Sequence, residues 1–422
     1  MPDELPNTFL PLRMLNAGEP TFTAESHPFM FLWSNENDGG HNQKVSRWTP
    51  ELRRQYADGS LKPAKPLYFL LESTTPGRYV NIYGMGTALT ALPVYAVANW
   101  CISNLDDNFP LVLFLGREIA AALVALSAVF LYLAALALTE RRNALMVAVA
   151  YGLGTCVWST CSQGLWQQTP TVFYLALGTC LFVRAERTPW LGAPCGMAWA
   201  MAVWCRPTSA IVVLCAGVYL ALRDRRAFAA YALGGLPFAL VLALYNYRYV
   251  GSPFSFGQGE ACRDAAIAMT GSPSLWQTPL ADGLAGLLVS PSRGMFVYSP
   301  FLLFAVPGMI RVWTAPKYAV LRPLSAAALL ILCMVSKYFA WWGGGSYGYR
   351  LVLDITVFLA LMLIPLADVP KKGIVLPGLF AAALAWSAAV QIIGVTVYDL
   401  GGWNNRRATA VFTSDHPDEP RV

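Results

Sequence analysis

Run after run of mostly apolar residues, each near the length that crosses a bilayer, constrains this chain more than any other feature of its sequence. A helix rises about 1.5 Å per residue, so about 20 apolar residues cover the roughly 30 Å of bilayer hydrocarbon. The runs 111–138, 143–162, 169–184, 190–205, 208–222, 229–247, 294–312, 321–340, 350–368 and 373–398 predict about ten membrane spans. In lipid a spanning segment must satisfy its own backbone polar groups, so runs of this length are read as helices. Composition agrees: 56% of the 422 residues are hydrophobic and 13% charged, well away from a soluble protein. The expected fold class is all-α, a polytopic membrane helical bundle.

Loop charge sets the expected topology. Arg141 and Arg142, Arg184 and Arg187, Arg223, Arg225 and Arg226, then Arg311, Lys317 and Arg322, and finally Lys371 and Lys372 occupy alternate loops, which the positive-inside rule makes cytoplasmic. The opposite loops, and two longer segments, then fall outside. The resulting organisation is an outer loop region over 1–110, a first bundle half over 111–247, an outer loop over 248–293, a second bundle half over 294–398 and an outer polar tail over 399–422. Residues 1–78 are polar and irregular, with no signal-peptide pattern. The stretch 81–103 is only moderately apolar. A full span there would put the N-terminal segment on the wrong side, so it is read as an interfacial helix.

The nine cysteines lie mostly inside apolar runs without a C-x-x-C pair, which reads as packing thiols. His27, His41 and His416 lack metal-ligand spacing, so no metal site is assigned from the residues. The net charge of +6 belongs to the loops that fix topology, and no nucleic-acid partner is expected.

Gly344-Gly345-Ser346-Tyr347-Gly348 matches a nucleophile-elbow pattern. That elbow needs a strand before it and a helix after it, whereas this match lies between two spans, so it is read as a glycine turn that brings backbone close to a ligand or to the interface. Around it stand Trp341, Trp342, Tyr347 and Arg350. Cations at the outer ends of spans run against the charge bias, and Arg293 in Ser290-Pro291-Ser292-Arg293-Gly294 is a second. Together with Arg206 and Lys337 they form a candidate clamp for a phosphate or diphosphate at headgroup level. Arg117 and Glu118 lie within an apolar run, where ionisable groups are costly. Trp166, Trp341, Trp342 and Tyr347 suit either sugar stacking or an interfacial aromatic belt. The acidic pair Asp3-Glu4 carries little weight on its chemistry alone.

Asp3-Glu4-Leu5-Pro6 with Leu10-Pro11-Leu12, then Tyr83-Gly84-Met85-Gly86-Thr87 with Leu92-Pro93, resembles the first outer loop of GT-C-fold glycosyltransferases. The likeness is to bacterial relatives of protein mannosyltransferases and the aminoarabinose transferase. Gly154-Thr155, Leu165-Trp166-Gln167, Arg206-Pro207, Gly251-Ser252-Pro253, Ser290 to Gly294 and Trp341 to Arg350 extend the likeness along nearly the whole chain. The resemblance implies a GT-C-like bundle in a bacterial inner membrane with its active face outward. It implies transfer of a sugar from a polyprenyl-phosphate or diphosphate donor to an acceptor hydroxyl, with membrane lipid as partner. Asp3 matches the family's catalytic carboxylate, and Arg293, Arg350, Arg206 and Arg117 become candidates for the lipid phosphate. A divalent metal stays open, because the fold is used with and without one. The family places a membrane helix before the acidic position, where this sequence has only Met1 and Pro2; the expectation is a start further upstream. The rival expectations are a lipid or solute transporter and a non-catalytic GT-C-like protein.

Overall fold

The computed structural model describes residues 2–35, 42–368 and 374–397. The expected polar tail at 399–422 lies outside these residues, as do His41, Lys371, Lys372 and His416. The chain is mostly helical, 71% helix and 5% strand. Along the sequence the elements are α1 (Leu5–Ala17), β1 (Phe31–Asn35), β2 (Asn42–Lys44), α2 (Pro50–Ala57), β3 (Leu61–Pro66), β4 (Leu70–Glu72), β5 (Tyr79–Asn81) and α3 (Gly86–Cys101). There follow α4 (Phe109–Leu136), α5 (Arg141–Gly154), α6 (Cys156–Ser159), α7 (Gln168–Ala185), α8 (Gly192–Cys205), α9 (Ala210–Arg223), α10 (Arg225–Val250), α11 (Gly257–Thr270) and α12 (Leu280–Val289). The last are α13 (Met295–Tyr298), α14 (Ala305–Thr314), α15 (Arg322–Ser336), α16 (Thr356–Leu361), α17 (Ile364–Ala367) and α18 (Val375–Thr396).

Among the described residues five helical stretches are long and apolar enough to cross a membrane: Phe109–Leu136, Arg225–Val250, Pro316–Ser336, Arg350–Ala367 and Val375–Thr396. A sixth arises if α5 and the helical turns after it, bent by 42°, count as one broken span. Stretches of this length and composition mark a membrane-embedded protein. The other expected spans are helices too, but shorter or less apolar: α8 has 14 residues and α14 has 10.

The chain divides into two compact units. The first comprises Pro2–Leu113 and Leu240–Pro273. Its N-terminal stretch is more regular than its polar composition predicts, because turn and cap residues organise it. Thr49 caps α2 by accepting a hydrogen bond from the Leu52 N–H at 3.2 Å, with Pro50 at the first helical position. Gly18 ends α1 in the left-handed conformation, φ +68°. The antiparallel sheet β2-β1-β3 and the pair β4-β5 are additions to the all-α expectation. On β1 the period of two turns Phe31 and Trp33 inward, and Trp33 packs edge-on against Trp48 and Tyr56. The helix expected at 81–103 is α3. It packs on α1, with Ala88, Ala91 and Tyr95 buried, while Val94, Val97 and Trp100 stay exposed, Trp100 at 88%.

His27 sits in this unit within an aromatic cage of Phe9, Phe22 and Phe29. Burial disfavours its charged form and holds its pKa down at about 3 against an ordinary 6.5. Between those two pH values the unfolded chain binds a proton that the folded chain refuses. Stability is therefore full above pH 6.5 and falls on acidification toward pH 3, by up to about 1.4 kcal/mol per pH unit. Thermal melts at stepped pH should show this slope in the wild type and a flatter one in His27→Gln. Parallel slopes would assign the acid lability elsewhere.

The second unit comprises Phe114–Ala239 and the described residues from Ser274 on. Its helices close on one another where glycines remove side chains. A Cβ at Gly192 or Gly196 on α8 would stand against the Ala227 or Tyr231 carbonyl of α10, and one at Gly234 against the Ala193 carbonyl. This is the small-residue approach by which membrane helices pack without a hydrophobic drive between them. Gly178 makes room for Trp199, Gly283 for the Ser336 carbonyl and Gly308 for the Met362 carbonyl.

Candidate functional site

The break between α5 and α6 shapes the most unusual part of the second unit. At Thr155 the chain leaves helical geometry, and the backbone groups this frees must find partners inside the protein. Ser299 donates to the Gly154 carbonyl at 2.7 Å, and the Cys156 N–H donates to the Tyr349 hydroxyl at 3.3 Å. Ser299 and Tyr349 are themselves joined at 2.7 Å. Gln391 ties in α18, accepting from Ser159 at 2.6 Å and donating to the Tyr298 carbonyl at 3.2 Å.

Against this break lies the glycine-rich segment from Trp341 to Arg350. Gly343, Gly344 and Gly348 take positive φ, +75°, +70° and +62°, which only glycine adopts without strain. The coil they form is pinned by arginines. Arg293, 4% exposed, donates to the carbonyls of Ser346 and Gly344. Arg350 donates to the Gly343 carbonyl at 2.8 Å and lies over the Trp166 ring, 4.5 Å from its centroid. The peptide between the two arginines' anchors, Gly344-Gly345, is exposed. Arg293 is itself aimed by its own turn, where its N–H donates to the Ser290 hydroxyl at 3.3 Å.

Arg206 reaches the next stretch, donating to the Leu351 carbonyl at 2.6 Å and pairing with Asp354. Both members of that pair are buried, Asp354 to 1% exposure, and its other oxygen, Oδ1, has no hydrogen-bond partner among the described residues. Three of the four arginines singled out in the sequence are therefore gathered on residues 343–354. Arg206, expected to face a phosphate, is committed to Asp354. Arg117 is not among the groups that hold this segment; it is exposed on α4, as is Glu118.

The aromatic candidates also come together. Trp341 and Trp342 meet edge to face with centroids 5.9 Å apart, and a Cβ at Gly286 would meet the Trp341 ring. Tyr347 is buried, with its hydroxyl on the Val390 carbonyl at 2.6 Å, so it packs the segment against α18 rather than facing outward.

Asp3 belongs to the other unit. It lies in the short helical turn before α1 and accepts a hydrogen bond from the exposed Tyr68 hydroxyl. The Tyr83-Gly84 string is set there by Asn81, which donates to the Asn7 side chain at 2.7 Å and the Gly84 carbonyl at 3.1 Å, and accepts from the Tyr83 N–H. Among the described residues no three His, Cys, Asp or Glu side chains are grouped to hold a metal ion.

Asp354 escaped the sequence reading, although it is an acid inside an apolar run. Such a residue demands a partner, and that is a signal the sequence itself carries. Asp368, likewise unremarked, gathers Thr139 at 2.6 Å, Lys317 at 2.7 Å and Tyr318 at 2.8 Å. No family model matches this chain, and no curated protein matches it.

Proposed function

We propose that this chain is a membrane glycosyltransferase of GT-C type, moving a sugar from a polyprenyl-phosphate donor to an acceptor hydroxyl at the outer face of a bacterial inner membrane. The observation that carries the reading is the convergence of Arg293 and Arg350 on neighbouring carbonyls of one glycine-rich segment. The carbonyls fix the planes of two guanidiniums beside exposed backbone. Each terminal guanidinium nitrogen carries a second N–H beyond the one given to a carbonyl, and guanidiniums held in place this way suit phosphate oxygens; donors fixed in advance are what stabilise charge as it develops in a transition state. Trp166 beneath Arg350 and the Trp341–Trp342 pair supply aromatic faces of the kind sugars stack on. The exposed apolar side of α3 suits a helix lying in the membrane interface.

In this mechanism the acceptor oxygen attacks the anomeric carbon and gives up its proton to a carboxylate base. The bond from that carbon to the phosphate oxygen breaks. Arg293 and Arg350 take up the negative charge left on the polyprenyl phosphate.

The test is transfer from radiolabelled polyprenyl-phosphate sugars in membranes holding the full chain. Wild type is expected to transfer, and Asp3→Asn, at the carboxylate that the GT-C resemblance makes catalytic, to lose on the order of a hundredfold while still binding donor. Arg293→Lys, which keeps the charge but not the fork, is expected to weaken donor binding as well. Binding without transfer in the wild type would make this a non-catalytic binder of lipid-linked sugars. Neither binding nor transfer would sink the reading in favour of a transporter.

A further inference from the structure

The second unit holds another group of cations, at the ends of α7, α9 and α10. Arg187, Arg223, Arg225 and Arg226 line a cleft of about 590 Å³ together with Glu186 and Asp224. Glu186 and Arg187 also line an adjoining cleft of about 310 Å³. Both acids are occupied. Glu186 accepts from the Tyr219 hydroxyl, and Asp224 caps α10 by accepting from the N–H groups of Arg226 at 2.8 Å and Ala227 at 3.3 Å. None of the four guanidiniums is hydrogen-bonded or ion-paired among the described residues. The four guanidiniums outnumber the two carboxylates around this cleft, and an anion between them relieves the repulsion that remains.

A second observation says what kind of anion. On α9, Leu214, Val218 and Leu222 are exposed at 67%, 60% and 84%. Their spacing of four residues makes a continuous apolar stripe that ends beside Arg223. A free anion has no use for such a stripe, whereas a lipid's acyl chain does. We propose that this cleft binds the headgroup phosphate of an anionic membrane phospholipid whose acyl chains lie along the α9 stripe. Basic pockets at helix ends are the usual form of such sites, and the forked guanidinium suits a phosphate better than an ammonium does.

The test uses the full chain in detergent, titrated with phosphatidylglycerol or phosphatidylcholine and read by native mass spectrometry. Phosphatidylglycerol should bind in preference, and each arginine replaced by alanine should weaken it roughly fivefold. The triple variant Arg223→Ala, Arg225→Ala, Arg226→Ala should bind both lipids alike. Should that variant not fold, Arg187→Ala and the triple lysine variant carry the test, the first losing preference and the second keeping part of it. Equal binding of the two lipids by the wild type, or undiminished preference in Arg187→Ala, overturns the proposal. Displacement of phosphatidylglycerol by millimolar inorganic phosphate, with a short-chain analogue binding as well as the full lipid, would make the cleft a free-phosphate site and overturn the lipid assignment.

Discussion

Arg206→Met is expected to destabilise the folded chain by about 3–5 kcal/mol, because it leaves the Asp354 carboxylate buried without its counter-ion. Asp354 has little else to fall back on. Thr208 stands 3.5 Å from the oxygen that Arg206 holds, and Oδ1 has no partner among the described residues. Asp354→Leu should cost a similar amount, through a guanidinium left with only the Leu351 carbonyl. The double variant Arg206→Met, Asp354→Leu replaces both charges by apolar groups of similar bulk, and such swaps of buried pairs are often neutral or stabilising. Most of the loss should therefore return. Thermal unfolding of the four proteins in detergent closes the cycle, and the pair term is the departure from additivity. Single variants that lose under 1 kcal/mol, or a double variant with the two losses simply summed, would mean that water reaches this pair.

Gly348→Ala is expected to be nearly as damaging, by about 2–5 kcal/mol when left-handed strain and overpacking are combined. At φ +62° an L side chain is strained before any contact is counted. A Cβ there would also meet the Cys156 sulfur and stand 3.2 Å from the Tyr298 ring. Neither neighbour can withdraw easily, since Cys156 opens the helix after the α5 break and Tyr298 is held by its hydroxyl on the Ser292 carbonyl at 3.0 Å. Relaxation would shift Tyr349 and Arg350 instead, so the variant should lose donor binding along with stability. Gly344→Ala offers the comparison, because it has the same sign of φ, +70°, but open space around its Cβ. It should show the smaller strain cost alone. Equal losses at the two positions would mean that packing against Cys156 does not matter.

That this is a membrane-embedded helical protein is legible in the sequence. Apolar runs that must satisfy their own backbone in lipid have few other outcomes, and the five long helices follow from 111–138, 229–247, 321–340, 350–368 and 373–398 with small changes of boundary. It also singled out the glycine-rich segment and the arginines beside it, because cations at span ends and clustered glycines run against what lipid prefers. The β-sheets near the N-terminus were not legible, since short polar strands carry little periodicity and are set by partners far along the chain, as when β1 pairs with β3.

Tertiary structure alone decided what each arginine faces. Arg206, Arg293 and Arg350 look alike in the sequence as cations near the ends of apolar runs. Only folding sends the first to Asp354, 148 residues away, and the others to carbonyls of one coil. The physical reason is that a hydropathy pattern is read within a segment, whereas the partner of a buried charge is chosen by which segments meet. Glycines at the close approaches, Gly196, Gly234, Gly283 and Gly308, set those meetings, and their role shows only when the facing backbone is in view.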